Sequence, residues 1–248
     1  MLRLLDTFSG IGGFSYAAEQ LVGGFKTVAF VEREPFCQKI LRKHWPSVPI
    51  YDDIATFNPK PHSADVICGG FPCQDISTAG KQAGIKKGTR SGLFYELMRV
   101  IRLVRPQYLV LENVAAICSN GLDIVLGELA EAGFDAEWAC IRASSVGACH
   151  RRDRWWLIAY PNDKGLQGQR AEHELSKSSE KKPVAWCRRD QVLSSEWGGY
   201  LSKPVLCRGD DGLSGRVDRL KALGNAVVPQ VAAIPLARVL ELSRGKRN

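Results

Sequence analysis

Through its first 160 residues the chain alternates short apolar runs with amphipathic stretches, and this alternation limits the possible folds more than any other feature. "LRLLDTF" (2–8) reads as an apolar strand running into the glycine-rich "SGIGG", and "FSYAAEQLV" (14–22) has helical character. The pattern repeats with strand "KTVAFVE" (26–32) and helix "EPFCQKILRKHW" (34–45). Strand "ADVICGG" (64–70) and the amphipathic helix "SGLFYELMRVIRLVR" (91–105) follow, the helix halted by Pro106. Strand "QYLVLENV" (107–114) and helix "LDIVLGELAEAG" (122–133) come next, and "FDAEWACIRA" and "RWWLIAY" read as two later strands. This order predicts an α/β fold with a doubly wound, Rossmann-like, largely parallel sheet covered on both faces.

The pattern breaks at Tyr160-Pro161. Residues 161–218 form a polar, irregular region, and "LKALGNAVVPQVAAIPLARVLEL" (220–242) returns to a loop followed by a helix. The expected organisation is a body made of 1–160 and 219–248, with 161–218 as a small inserted region. Residues 1–160 carry 18 Lys and Arg against 16 Asp and Glu, whereas 161–248 carry 16 against 10. A basic C-terminal third suits a polyanionic partner and equally suits a solvated surface. The eight cysteines contain no C-x-x-C pair and no accompanying histidine cluster, so no metal site is expected and reduced cytosolic thiols are the default. No signal-peptide pattern opens the chain, and no apolar run is seen to approach the ~18–20 residues of a transmembrane helix, so no membrane association is expected.

Three features point to a nucleoside. Gly10, Gly12 and Gly13 in "DTFSGIGGF" allow a turn that brings backbone close to a ligand. Glu32, at the end of the second strand, suits a ribose diol, and Asp53 after "VPIYDD" suits an adenine amine. No phosphate-binding G-x-x-x-x-G-K-[ST] loop occurs, which argues against an ATPase.

Cys73, in "GGFPCQDIS", falls on the loop after a strand, where open α/β sheets bind ligands. From this stretch alone it is either a nucleophile or a small buried apolar residue. Glu112 in "LVLENV" ends another strand; taken alone it reads as an ordinary capping or ion-paired acid. Arg152 and Arg154 alternate at the start of "RWWLIAY" and are expected to share a face. "STAGKQAGIKKGTRSG" (77–92) is Gly- and Lys-rich and reads as a mobile loop.

In series, "DTFSGIGGF", Glu32, "DDI", "GGFPCQ", "ENV", "RRDR" and "LGNAVVPQV" resemble the ordered motifs of DNA (cytosine-5)-methyltransferases. The likeness covers residues 2–159 and 219–235 and is strongest to compact phage or prophage members. It implies an S-adenosyl-L-methionine site on Phe8, Gly10, Ile11, Gly12 and Gly13, with Glu32 on the ribose and Arg33 beside the adenine. Asp53 and Ile54 would read the adenine edge, Pro72 would lie by the methyl-bearing end, and Asn225 and Ala226 would close the pocket. Ala226 replaces the serine that is common in the family, while His150 stands where Gln is common and is given no role.

The implied catalytic set is Cys73, Glu112, Arg152 and Arg154: thiolate addition to carbon 6 of cytosine, with an acid at N3, makes carbon 5 nucleophilic. The resemblance implies double-stranded DNA as the partner, and because a carbon inside a stacked duplex is unreachable, the target base would have to rotate out. Lys81 and Arg90 would then contact phosphate or the cysteine loop, and region 161–218 would recognise the target through Arg188, Arg189, Arg208, Arg216 and Arg219. The resemblance further implies S-adenosyl-L-homocysteine as product, a cognate restriction endonuclease, action as a monomer on DNA, and a bacterial or phage-infected cytoplasm. Two rival readings are an RNA-directed cytosine methyltransferase and a DNA-binding protein without catalysis; intact Cys73, Glu112 and Arg154 argue against the second.

Overall fold

The computed structural model describes residues 1–72, 92–162 and 222–245. The expectations placed on Cys73, Lys81, Arg90, Arg188, Arg189, Arg208, Arg216 and Arg219 lie outside the described residues.

Seven strands form one sheet: β1 (Leu2–Thr7), β2 (Phe25–Val31), β3 (Ile50–Tyr51), β4 (Val66–Gly70), β5 (Tyr108–Val114), β6 (Phe134–Arg142) and β7 (Asp153–Pro161). Their order is β3-β2-β1-β4-β5-β7-β6. The chain moves outward from β1 through β2 to β3, then returns to place β4 on the other side of β1. The crevice at the carboxyl ends of β1 and β4 is therefore the topological switch point, where such sheets bind ligands.

The sheet is less uniformly parallel than the sequence suggests. Strands β1 to β5 pair in parallel, but β7 runs antiparallel to both β5 and β6. The cause is the connection: β6 and β7 are joined by 143–152, which hold only the short turn Ala143–Val146 and no crossover helix.

Neighbouring residues on the strands face opposite ways, which builds two cores. Leu5, Ile67, Leu111, Trp155 and Leu157 pack on one face with α3 (Leu93–Val104) and α4 (Leu122–Glu131). Leu4, Val66, Val110, Trp156 and Ile158 pack on the other. There they meet α1 (Gly13–Tyr16), its π-helical continuation Ala17–Val22, and α5 (Pro229–Gly245). The remaining helix, α2 (Pro35–His44), opens with Pro35 in its first turn and closes with Arg42, Lys43 and His44, the polarity that complements a helix dipole. In α3 the fully buried Phe94, Leu97, Met98, Ile101 and Val104 recur at helical spacing, and the helix stops in left-handed Arg105 before Pro106.

One expectation needs correction. The stretch Ala222–Gly245 is long and apolar enough, by length and composition, to cross a membrane. Its apolar side is instead used inside the protein: Val231, Ala232, Leu236 and Val239 are buried against the second face of the sheet.

Candidate active site

At the switch point, β1 ends in a turn of unusual backbone. Phe8 and Gly10 take φ values of 51° and 54°. Only glycine adopts this region freely, so the Phe8 conformation is held by its surroundings. Ser9 supplies part of that hold: its N–H donates to Val31 O at 3.2 Å and its hydroxyl to Asp6 O at 2.6 Å. A Cβ on Gly10 would meet nothing within 4 Å, so this side of the turn is open. A Cβ on Gly13 would come within 2.6 Å of Val227, so the turn is pressed against the C-terminal segment.

Glu32 follows β2 and is buried. Its two carboxylate oxygens accept the N–H groups of Gly10 at 2.6 Å and Glu34 at 2.8 Å. Burial raises its pKa, and these backbone donors offset only part of that rise. Gln38 braces the same corner, donating to Glu32 O at 2.7 Å and to Asp52 Oδ1 at 2.8 Å. Asp53 begins a tight turn: its carboxylate accepts Ala55 N–H at 2.9 Å, and its carbonyl accepts Phe57 N–H at 3.0 Å. Ile54 is buried, Arg33 is exposed, and Pro72 is half-buried. A cavity of about 700 Å³ borders the glycine turn and includes Ile11, Gly12, Gly13, Ala226 and Arg152 in its wall. Glu32, Asp53 and Pro72 do not line it, so it covers only one flank of the expected pocket.

Glu112 stands two residues before the end of β5, paired in register with Gly70 on β4 and Trp156 on β7. Its carboxylate lies 3.1 Å from Arg154 Nε. A Cβ at position 70 would sit 3.0 Å from Glu112 Oε2, so glycine there leaves the carboxylate its room. Burial pushes the Glu112 pKa up to about 7, against the downward pull of Arg154 and Arg152. Arg152 lies just before β7 with φ 29°, so strand alternation does not explain its direction. Its guanidinium donates to Gly224 O at 2.8 Å and Ala226 O at 2.6 Å. Arg152 therefore ties the C-terminal segment to the Glu112 cluster, and Ala226 engages it through its carbonyl. Asn225 is exposed.

Among the described residues, two groups of the predicted set form where β1, β2 and β5 end: the glycine turn with Glu32, and Glu112 with the two arginines. The family model for C-5 cytosine-specific DNA methylase matches residues 2–197. The chain belongs to this family.

Among its relatives, the Type II methyltransferase M.CviJI of Paramecium bursaria Chlorella virus IL3A is 34% identical over 164 residues, covering 65% of this chain and 44% of that protein. M.MspI of Moraxella sp. is 30% identical over 226 residues, covering 88% and 51%. The chain spans about half the length of the curated relatives it matches. Two solved structures share the fold: DNMT2 of Spodoptera frugiperda (TM-score 0.55, 22% identity, 68% of this chain and 53% of that one) and the S. pombe Dnmt2 methyltransferase (TM-score 0.53, 20%, 68% and 51%).

Within this methylase scaffold, sequence reasoning left two supporting residues without a role. Asn113 is buried and donates from Nδ2 to Phe71 O at 3.2 Å, fixing the backbone two residues before Cys73. Asp6 is fully buried and accepts both the hydroxyl (2.7 Å) and the N–H (3.2 Å) of Ser15, locking the glycine turn to the start of α1. Burial pushes the Asp6 pKa up to about 7. Both sit inside motifs already singled out, "ENV" and "DTFSG", and that position was the available signal.

Proposed function

We propose that the chain is the catalytic body of a DNA (cytosine-5)-methyltransferase, acting on a cytosine rotated out of a short specific duplex site. The observation that carries this reading is Glu112: a carboxyl poised near pH 7, beside Arg154, on the strand adjoining the one that leads to Cys73.

The first group of residues fits S-adenosyl-L-methionine. The open left-handed turn at Gly10 leaves backbone approachable, and the Glu32 carboxylate, held in place by the N–H groups of Gly10 and Glu34, is an acceptor for a ribose hydroxyl. Asp53 and Ile54 occupy the next strand end, where an adenine would extend. When bound, the cofactor supplies an electrophilic methyl group and leaves as S-adenosyl-L-homocysteine.

The residues of the chain supply the rest. The Cys73 thiolate adds to carbon 6 of the cytosine, and the electrons of the broken double bond move toward N3. Neutral Glu112 donates a hydrogen bond or proton at N3, which lowers the cost of that charge. Arg154 keeps Glu112 oriented, and Arg152 holds the 224–226 turn against the cluster. Carbon 5, now enamine-like, takes the methyl group, loses its proton to a base, and Cys73 is expelled as the ring double bond re-forms.

Region 161–218, with its arginines, is assigned to target recognition, and Lys81 and Arg90 to contacts around the bound strand. The basic excess of the C-terminal third supports this. The Type II names of the relatives support a cognate restriction endonuclease, and a DNA substrate implies a DNA-associated protein in a bacterial or phage-infected cell. The reading as a monomer on DNA is carried from the resemblance.

Bisulfite sequencing of DNA from cells expressing the chain tests this function. Protected cytosines in one recurring short sequence, absent with Cys73→Ser, are expected. Uniform conversion in cells holding the folded protein would overturn the reading. Moving residues 161–218 into a related enzyme should carry the target sequence with them.

A further inference from the structure

The turn that carries Asp53 and Ile54 is held from an unexpected direction. Two of its N–H groups, on Ala55 and Phe57, are satisfied within the turn by Asp53. Its carbonyls are not. Those of Ile54, Ala55 and Phe57 converge on Nη2 of Arg99, at 2.6, 3.1 and 3.1 Å. Nη1 of the same guanidinium donates to Asn58 Oδ1 at 3.0 Å, and Nε to Glu96 Oε2 at 2.8 Å. One side chain therefore engages four acceptors of a single turn, more than forty residues away in sequence, plus an acid on its own helix.

Arg99 is anchored well enough to do this. It projects from α3, whose Leu97, Met98, Val100 and Ile101 are fully buried around it. The planar, five-donor fork of arginine suits several acceptors at fixed angles, whereas a lysine ammonium has three donors at one point. The mechanism assigns Arg99 nothing.

We propose that Arg99 is a positioning residue of the cofactor site. By collecting the carbonyls of the 54–57 turn, it transfers the rigidity of α3 to that turn and sets Asp53 and Ile54 against the adenine end of S-adenosyl-L-methionine. The inference rests on the reading above that these two residues face the adenine. It acts through them and places no group on the methyl transfer itself.

The test is titration calorimetry with S-adenosyl-L-homocysteine on the wild-type chain, Arg99→Ala and Arg99→Lys, beside methyl-transfer kinetics and hydrogen exchange. Arg99→Ala should weaken binding, and raise KM for S-adenosyl-L-methionine, about tenfold. Its kcat at saturating cofactor and KM for duplex DNA should stay within about twofold. Arg99→Lys should fall between, and the amides of Ala55 and Phe57 should exchange faster in both variants. Unchanged affinity and exchange would overturn the inference alone. So would an equal loss in kcat and both KM values that tracks a lowered Tm, the mark of a general structural role. Should Arg99→Ala not fold, wild-type affinity in Arg99→Lys with unchanged exchange would overturn it. A wild-type chain that binds no S-adenosyl-L-homocysteine would remove the cofactor reading, and the inference with it.

Discussion

The two sides of the crevice partner their carboxylates differently. On the proposed cofactor side, the Glu32 oxygens accept backbone N–H groups from Gly10 on the neighbouring turn and Glu34 on its own, and Asp53 accepts Ala55 N–H; these bonds hold the loops in shape. On the proposed catalytic side, Glu112 meets no such donors among its named partners and lies beside two arginines instead. Burial raises the pKa of both glutamates; backbone N–H groups oppose it at Glu32, and guanidinium charges oppose it at Glu112, which is left at about 7. Backbone donors fix an acceptor in place for binding, whereas arginine side chains leave Glu112 free of backbone ties.

That contrast is broken most severely at Glu112. Glu112→Gln keeps the shape but cannot supply a proton, so kcat/KM for duplex DNA should fall by ~10²–10⁴-fold. The pH dependence follows with a definite sign. In the proposed mechanism neutral Glu112 is the active form, so wild-type kcat/KM should decline as pH rises through about 7, and the variant should lose that limb. A rate profile between pH 5.5 and 9 checks both.

On the binding side the expected losses are smaller. Glu32→Gln replaces one acceptor with an NH2 that faces a backbone N–H, either Gly10 or Glu34, so it should weaken S-adenosyl-L-homocysteine binding by ~2–3 kcal/mol. Asp53→Ala removes a partly exposed group and should cost ~1–2 kcal/mol. Calorimetry at pH 8 separates the two, and equal, negligible effects would place the nucleoside elsewhere.

Arg152 joins the two sides, and Arg152→Lys should loosen only the joint. The grip on Gly224 and Ala226 would be lost, with ~1 kcal/mol of stability and faster exchange at Ala226, whose N–H bonds to Ala222.

The smallest effect concerns Asp6, behind the cofactor turn. Its folded pKa, about 7, lies above the ordinary 3.8. Its favourable contribution to stability is therefore fully present below pH 3.8 and lost as pH rises through 7. Asp6→Asn should flatten the stability–pH curve between pH 5 and 8 in denaturant titrations.

Much of the architecture was legible in the chain. Continuous apolar runs such as "LRLLDTF" and "QYLVLENV" mark strands buried on both faces, and the spacing of Phe94, Leu97, Met98 and Ile101 marks α3. The direction of β7 was missed because strand patterns carry no pairing sense; it lay instead in the ten-residue link 143–152, which holds no crossover helix. In the site, Glu32 and Glu112 could be picked out because each falls near the end of a strand. Their supports could not. Arg152 reaches Gly224 across 72 residues, Asn113 reaches Phe71 across 42, and Arg99 reaches the 54–58 turn across more than 40. Such hydrogen bonds leave no local period in a sequence, and only folding brings the partners together.

The central claim is covalent chemistry at Cys73, and a duplex carrying 5-fluorocytosine at the target tests it most directly. Fluorine leaves no proton at carbon 5 to lose, so methyl transfer should strand the protein on the DNA. The account predicts an adduct that survives denaturing electrophoresis, requires S-adenosyl-L-methionine, maps to Cys73 by mass spectrometry, and is absent in Cys73→Ser but present in Cys37→Ser and Cys68→Ser. An adduct on another cysteine, or methylation at the wild-type rate by Cys73→Ser, would contradict it.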